Sequence, residues 1–219
     1  MVVETPDRTG ERQSGRDRQR TATRRRIRTV ALEVIGRDGL AGARVGDIAQ
    51  SAGVSRGTVY FHYPSMEDIA GEVLAEAEER IGQAVRQVGD QAPIARTLQV
   101  FCDAFVREWE SRPTLFRAVA AMSLRLAAAR IQTKQVDAAH RALSERFRTA
   151  GERRELKGTP RGSLLAQVFL VNVLAATLAW AERPKMRLAP ALAEVVEIFL
   201  FGVLPKGRRR ASVGLAASR

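Results

Sequence analysis

Residues 45–64 read V-G-D-I-A-Q-S-A-G-V-S-R-G-T-V-Y-F-H-Y-P, and this stretch decides the fold. Val45, Ile48, Ala49 and Ala52 share one face at helical spacing, which predicts a short helix with a narrow apolar stripe. Gly53 interrupts it, because glycine takes positive φ without steric cost and lets the chain turn before Val54 returns to the core. Ser55 then has the chemistry of an N-cap, with a hydroxyl able to accept from the backbone N–H of Gly57 or Thr58. A second helix is predicted from Arg56.

Two short helices joined by a glycine-centred turn make a helix-turn-helix, whose second helix can enter the major groove of DNA. An ordinary pair of core helices would share the pattern, but here turn, cap and aromatic cluster stand together over about twenty positions. Ala49 is small where the helices cross. With Val59 facing inward, Arg56, Gly57, Thr58, Tyr60 and His62 are expected to point wholly or partly outward. Arg56 can fork onto O6 and N7 of a guanine, Thr58 can meet a thymine methyl or a phosphate, and Gly57 permits close backbone approach. Tyr60 and His62 read as phosphate contacts.

The run V-S-R-G-T-V-Y-F-H-Y-P-S, preceded by D-I-A-Q-S-A-G, resembles the tetracycline-repressor (TetR) family of bacterial transcriptional regulators, over about Arg24 to Leu74. The resemblance implies that Ser55, Arg56, Gly57, Thr58, Tyr60 and His62 form the DNA-binding face. It also implies a homodimer and a helical effector-binding domain. Two positions depart from the family pattern. Arg44 stands where a capping threonine is common and is free to supply a phosphate contact, and Met66 stands where a phosphate-binding lysine is common and removes one.

At 219 residues with 45% hydrophobic content, the chain can hold two helical cores. The fold class is all-α: an N-terminal three-helix DNA-binding domain over 20–65 and a C-terminal helical effector-binding and dimerisation domain over 66–205. Residues 1–19 lack periodicity and are expected to be a disordered basic arm, and 206–219 a flexible basic tail. The formal charge of +12 and pI of about 11.2 favour a polyanionic partner. Residues 1–70, however, hold twelve arginines against nine acids, so most of the excess lies elsewhere. Cys102 is the lone cysteine, which excludes an internal disulfide and any multi-cysteine metal site and fits a reducing cytoplasm. No apolar run is expected to reach the length of a membrane span.

Along the chain, Ile27, Val30, Ala31, Val34 and Ile35 stripe a helix expected over Arg20–Asp38, stopped by Gly39, with Arg24, Arg25, Arg26 and Arg28 placed to face phosphates. Ser65 and Asp68 form a capping box for a long helix to about Val88. Further helices are expected over Pro93–Glu110, Pro113–Arg130 and Ile131–Ala150, with a loop over 151–160. The last two helices, about 160–183 and 190–204, are apolar enough to need cover on all sides, and a second copy of the chain is the expected cover. Paired reading helices about one duplex turn apart would read a near-palindrome.

With two histidines, no nucleophile motif and no phosphate loop, an enzymatic role has no residues to carry it, and neither cofactor nor metal is implied. Phe101, Phe105, Trp109, Phe116, Met122 and Trp180 instead suggest walls for an apolar small molecule, though each also suits plain core. Gln167 and Asn172 need a partner inside their apolar helix: a ligand, or the same residue across the dimer. The expected function is a cytoplasmic, ligand-responsive regulator, a repressor released from its operator by a small molecule. The alternative is an effector-independent or architectural DNA-binding protein.

Overall fold

The computed structural model describes residues 8–120, 137–158, 160–183 and 185–203, and of 8–14 only the backbone. Among the described residues every regular element is a helix, so the chain is all-α as expected. They divide into two compact units, one ending at Ala70 and one beginning at Gly71.

In the first unit, α1 runs Arg8–Gly42, broken at Gly39, whose φ of 73° ends the regular helix and leaves one further turn. That break is the stop expected after Asp38. The start differs, because helix already begins at Arg8, which corrects the expected disorder over 8–19. A nucleated helix extends at little cost, and the buried stripe from Ile27 to Ile35 supplies the nucleus. Helix α2 spans Val45–Ser51 and α3 spans Arg56–His62. Ile27, Ala31, Val34, Ile48, Ala49, Val59 and Ile69 bury one shared core. Ile69 lies in α4, Met66–Arg86, so the unit takes in the first turn of that helix. The capping box is formed: Ser65 N donates to Asp68 Oδ2 at 2.8 Å and Asp68 N to Ser65 Oγ at 3.1 Å.

The second unit holds the rest of α4, then α5 (Ile94–Trp109), a helix described over 113–120 (α6), α7 (Ala138–Glu152), α8 (Gly162–Ala181) and α9 (Leu188–Val203). Helix α7 starts at Ala138, not 131, because Asp137 is extended and its Oδ1 accepts from His140 N at 2.6 Å. Helix α8 opens at Gly162 after an extended Arg161, and Pro190 falls in the first turn of α9, where a missing N–H costs nothing. Backbones approach closely at two glycines. A β-carbon on Gly82 would lie 2.9 Å from the Ala138 carbonyl, and one on Gly162 would overlap the Ser144 carbonyl.

A buried polar cluster ties α5 to α7. Arg146 donates to Thr97 Oγ1 and to the carbonyls of Gly89 and Ala92 at 3.1 to 3.3 Å. Pro93 offers α5 no side-chain cap, and the Glu155 carboxylate serves instead, accepting from Ile94 N at 2.6 Å. Cys102 is buried, and desolvation, with the nearby Asp103 charge, pushes its thiol up to about 12, an inert core residue.

Helix α8 corrects the expectation that no apolar run reaches the length of a membrane span. It is 20 residues long with a mean hydropathy of 1.9, so by length and composition it could cross a membrane. Its polar positions, Gln167, Asn172 and Thr177, are uncharged and do not lower the average enough. Within one chain it is buried on one side only. Leu165, Ala166, Phe169, Val173, Thr177 and Trp180 are buried, while Leu164, Val168 and Val171 are exposed.

Candidate nucleic-acid interface

Helix α3 is short and cannot hold itself together, so its ends are secured by partners. At the N-terminus Ser55 is extended and its Oγ accepts from Thr58 N at 3.0 Å. The Thr58 hydroxyl lies 2.9 Å from the same oxygen. At the C-terminus Arg24 reaches across from α1 and donates from Nη1 to the His62 carbonyl at 2.6 Å, with its Cζ 4.1 Å from the Tyr63 ring centre. A cation on the last carbonyls complements the helix dipole. Arg24 is therefore a brace for α3 rather than the phosphate contact expected of it.

The outer face of α3 then follows from its buried one. Arg56 is exposed, and its guanidinium lies along Gly46 of α2, where a β-carbon would come 2.9 Å from Nη2. Gly57 is bare, its nearest neighbour to an added β-carbon being Ser55 Oγ at 3.7 Å. Tyr60 is 52% and Phe61 67% exposed. Arg44 is exposed and makes no side-chain cap for α2, which leaves its guanidinium available to an anion. Met66 packs against the core of the unit.

His62 does not share that face. It is 8% exposed, because it follows Val59 by three residues and so points the same way, inward. Burial first, and then the charges of Arg20 and Arg24, hold its pKa below the ordinary imidazole value. The expected phosphate contact at His62 is corrected: the ring is core, edge-on to Phe61 at 5.2 Å between centroids. Phe61 takes its place on the outside, four residues after Gly57. The same spacing rule, applied from Val59, would have found it.

In the second unit Phe101, Trp109, Phe116 and Trp180 are buried and Phe105 is half-buried. Phe105 stacks on Phe101 at 5.9 Å, and Phe116 meets both Phe105 and Trp109 edge-on at 5.9 and 5.2 Å. The Trp180 indole donates to the Met186 carbonyl at 2.6 Å. The rings of Phe101, Phe105, Trp109 and Phe116 come together as one cluster, with Phe169 joining through Phe101. Met122 lies outside the described residues. Gln167 and Asn172 do not join the cluster. Both are on the exposed side of α8, and Asn172 Nδ2 satisfies itself on the Val168 carbonyl at 2.7 Å. The expectation that they face an interior ligand is corrected, since the apolar helix that carries them is covered on one side only.

Comparison with known proteins bears on both units. The family model described as "Bacterial regulatory proteins, tetR family" matches residues 27–73. The HTH-type transcriptional regulator AcrR of Shigella flexneri is 36% identical over 61 residues, which is 28% of this chain and 28% of that protein. Among solved structures, the SmeT–triclosan complex has a TM-score of 0.65 at 18% identity, over 85% of this chain and 93% of the other. The regulator FadR from Bacillus subtilis in complex with stearoyl-CoA has a TM-score of 0.66 at 20% identity, over 81% and 97%. The fatty acid degradation regulator FadR from Bacillus halodurans has a TM-score of 0.66 at 19%, over 82% and 95%. At these identities the structural likeness is one of fold.

Proposed function

We propose that this chain, whose residues 27–73 match the tetR family of bacterial regulatory proteins, is a transcriptional regulator of that family and a ligand-responsive repressor. It binds a near-palindromic operator as a homodimer in the cytoplasm and leaves it when a small molecule binds the second unit. The observation that carries this reading is the outer face of α3, with Arg56, Gly57 and Tyr60 exposed on a helix capped at both ends. Such a face can place a guanidinium fork on a guanine edge while a bare glycine lets the backbone approach the groove.

Dimerisation is supported by the outer faces of α8 and α9, where Leu164, Val168, Val171, Ile198 and Phe201 are exposed together with Gln167 and Asn172. A two-fold contact between copies would cover this apolar surface and give the two amides a partner across the axis. The aromatic cluster around Phe105 suits a mostly apolar effector, and the structures named above on the same fold are complexes with stearoyl-CoA, which carries a long acyl chain, and with triclosan. The connection is α4, which begins with the first unit and continues into the second. An effector that favours one packing of the second unit would tilt it and reset the reading helices, a coupling of about 1 to 3 kcal/mol in such systems.

The test begins with selection of bound fragments from genomic DNA by the purified protein, followed by a thermal-shift screen of apolar compounds. A recovered near-palindrome, and a compound that weakens operator binding by the same factor by which operator weakens compound binding, would support the proposal. Operator binding with no compound altering it would favour an effector-independent regulator.

A further inference from the structure

Beyond the reading helix, the first unit carries a second basic element. An arginine stands at every fourth position from Arg16 to Arg28. On a helix such a series forms one continuous ridge along the i±4 row, rising about 6 Å per step. Helix α1 is unbroken across that whole span. The acid of the stretch, Asp17, falls off the ridge. Where the helix is packed, the ridge runs into the buried stripe, since Arg20 and Arg24 precede Ile27 and Ala31 at the same three- and four-residue spacing.

Two contacts fix which way the ridge faces. Arg24 holds the end of α3, as described above, and Arg20 places its Cζ 5.2 Å from the centre of the Phe61 ring. Phe61 is on the outer face of α3, 67% exposed, so Arg20 stands at the edge of the groove-facing surface. Arg16 lies one turn further along α1, past the end of the core. Residues 15–20 are all exposed, and a β-carbon on Gly15 would meet nothing within 4 Å. A helix with no apolar stripe, projecting from the module beside its reading face and carrying a guanidinium on each turn, has the chemistry of a phosphate-binding arm.

We propose that Arg16 and Arg20 bind backbone phosphates flanking the bases read by α3, making the start of α1 a sequence-independent second DNA contact. This rests on the DNA-binding reading of α3, and its failure is separable from failure of that reading. The occupant is duplex DNA because the ridge is continuous with the α3 face through Arg20 and Phe61.

The experiment uses the full chain, the double variant Arg16→Ala/Arg20→Ala, the single variant Arg16→Ala and the off-ridge control Arg25→Ala. Affinity is measured between about 50 and 200 mM salt on two duplexes of about 40 base pairs, one carrying a site selected from random DNA and one scrambled. The slope of log affinity against log salt is expected to fall by about 0.9 for each arginine removed per bound chain, on both duplexes, with their affinity ratio preserved. Arg16→Ala, which touches no core residue, should show about half the effect, and Arg25→Ala should retain the larger slope. An unchanged slope in the double and single variants would overturn the proposal. So would a loss confined to the selected site, which would mean that the arginines act through α3. If the wild-type chain failed to distinguish the two duplexes while the variants still flattened the slope, the ridge would stand and the sequence-reading role of α3 would fall.

Discussion

Arg56 and His62 are six residues apart on the same short helix and have opposite fates. Arg56 leaves the first turn of α3 with its guanidinium along Gly46 and its donors exposed, so replacing it with alanine should cost about 1 to 3 kcal/mol at the operator and relax base choice at one position. Competition binding against single-base operator variants checks this, and uniform weakening on every sequence would assign Arg56 to phosphate instead. Burial, and then the charges of Arg20 and Arg24, hold the folded pKa of His62 below its unfolded one. The unfolded chain therefore takes the proton first. The stability that His62 contributes is complete above about pH 6.5 and is lost as pH falls through the lower folded value. Thermal melts from about pH 7 down to about pH 5 should show a shallower loss in His62→Gln than in the wild type, and parallel curves would mean that the imidazole is not desolvated in solution.

At the scale of the element, the second unit depends on side chains that finish what its helices leave open. Helix α5 begins at a proline with no cap of its own, and Glu155 supplies the acceptor from 61 residues away. Arg146, 6% exposed, satisfies the Gly89 and Ala92 carbonyls and the Thr97 hydroxyl at once. The Asp90 carboxylate adds little, being almost wholly exposed at 3.4 Å. Arg146→Met keeps the volume but removes the guanidinium from the buried Thr97 hydroxyl and takes one donor from each of the Gly89 and Ala92 carbonyls, which keep Ala92 N and Arg153 Nη2, at a cost of about 1 kcal/mol. Denaturant unfolding of the second unit measures it, and a variant as stable as the wild type would mean that water replaces the guanidinium. The periodic stripes of α5 and α7 were legible in the sequence because an apolar residue every three or four positions reports only on its own helix. Which distant charge caps which helix was not, since Glu155 and Arg146 read as solvated charges until the chain folds around them.

At the scale of the whole molecule, the exposed faces of α8 and α9 set the expected assembly. Ile198 is 74% exposed in one chain, so Ile198→Glu should leave the folded protomer intact while separating the dimer. Sedimentation should show a monomer, and operator affinity should fall by at least about tenfold because one reading helix alone buries too little. A variant that stays dimeric would move the interface elsewhere, and a wild-type chain that is monomeric at micromolar concentration would remove the dimer altogether.

The sequence alone determined the local chemistry. The turn at Gly53, the cap at Ser55, the box at Ser65 and Asp68, and the break at Gly39 each depend on residues within four positions of one another, so their pattern survives without any knowledge of the fold. Only tertiary structure decided that Arg24 is a brace and that Gln167 and Asn172 lie on an open face. The physical reason is common to both. Whether a side chain is covered depends on which distant helix packs against it, and neither composition nor spacing along one helix encodes the partner.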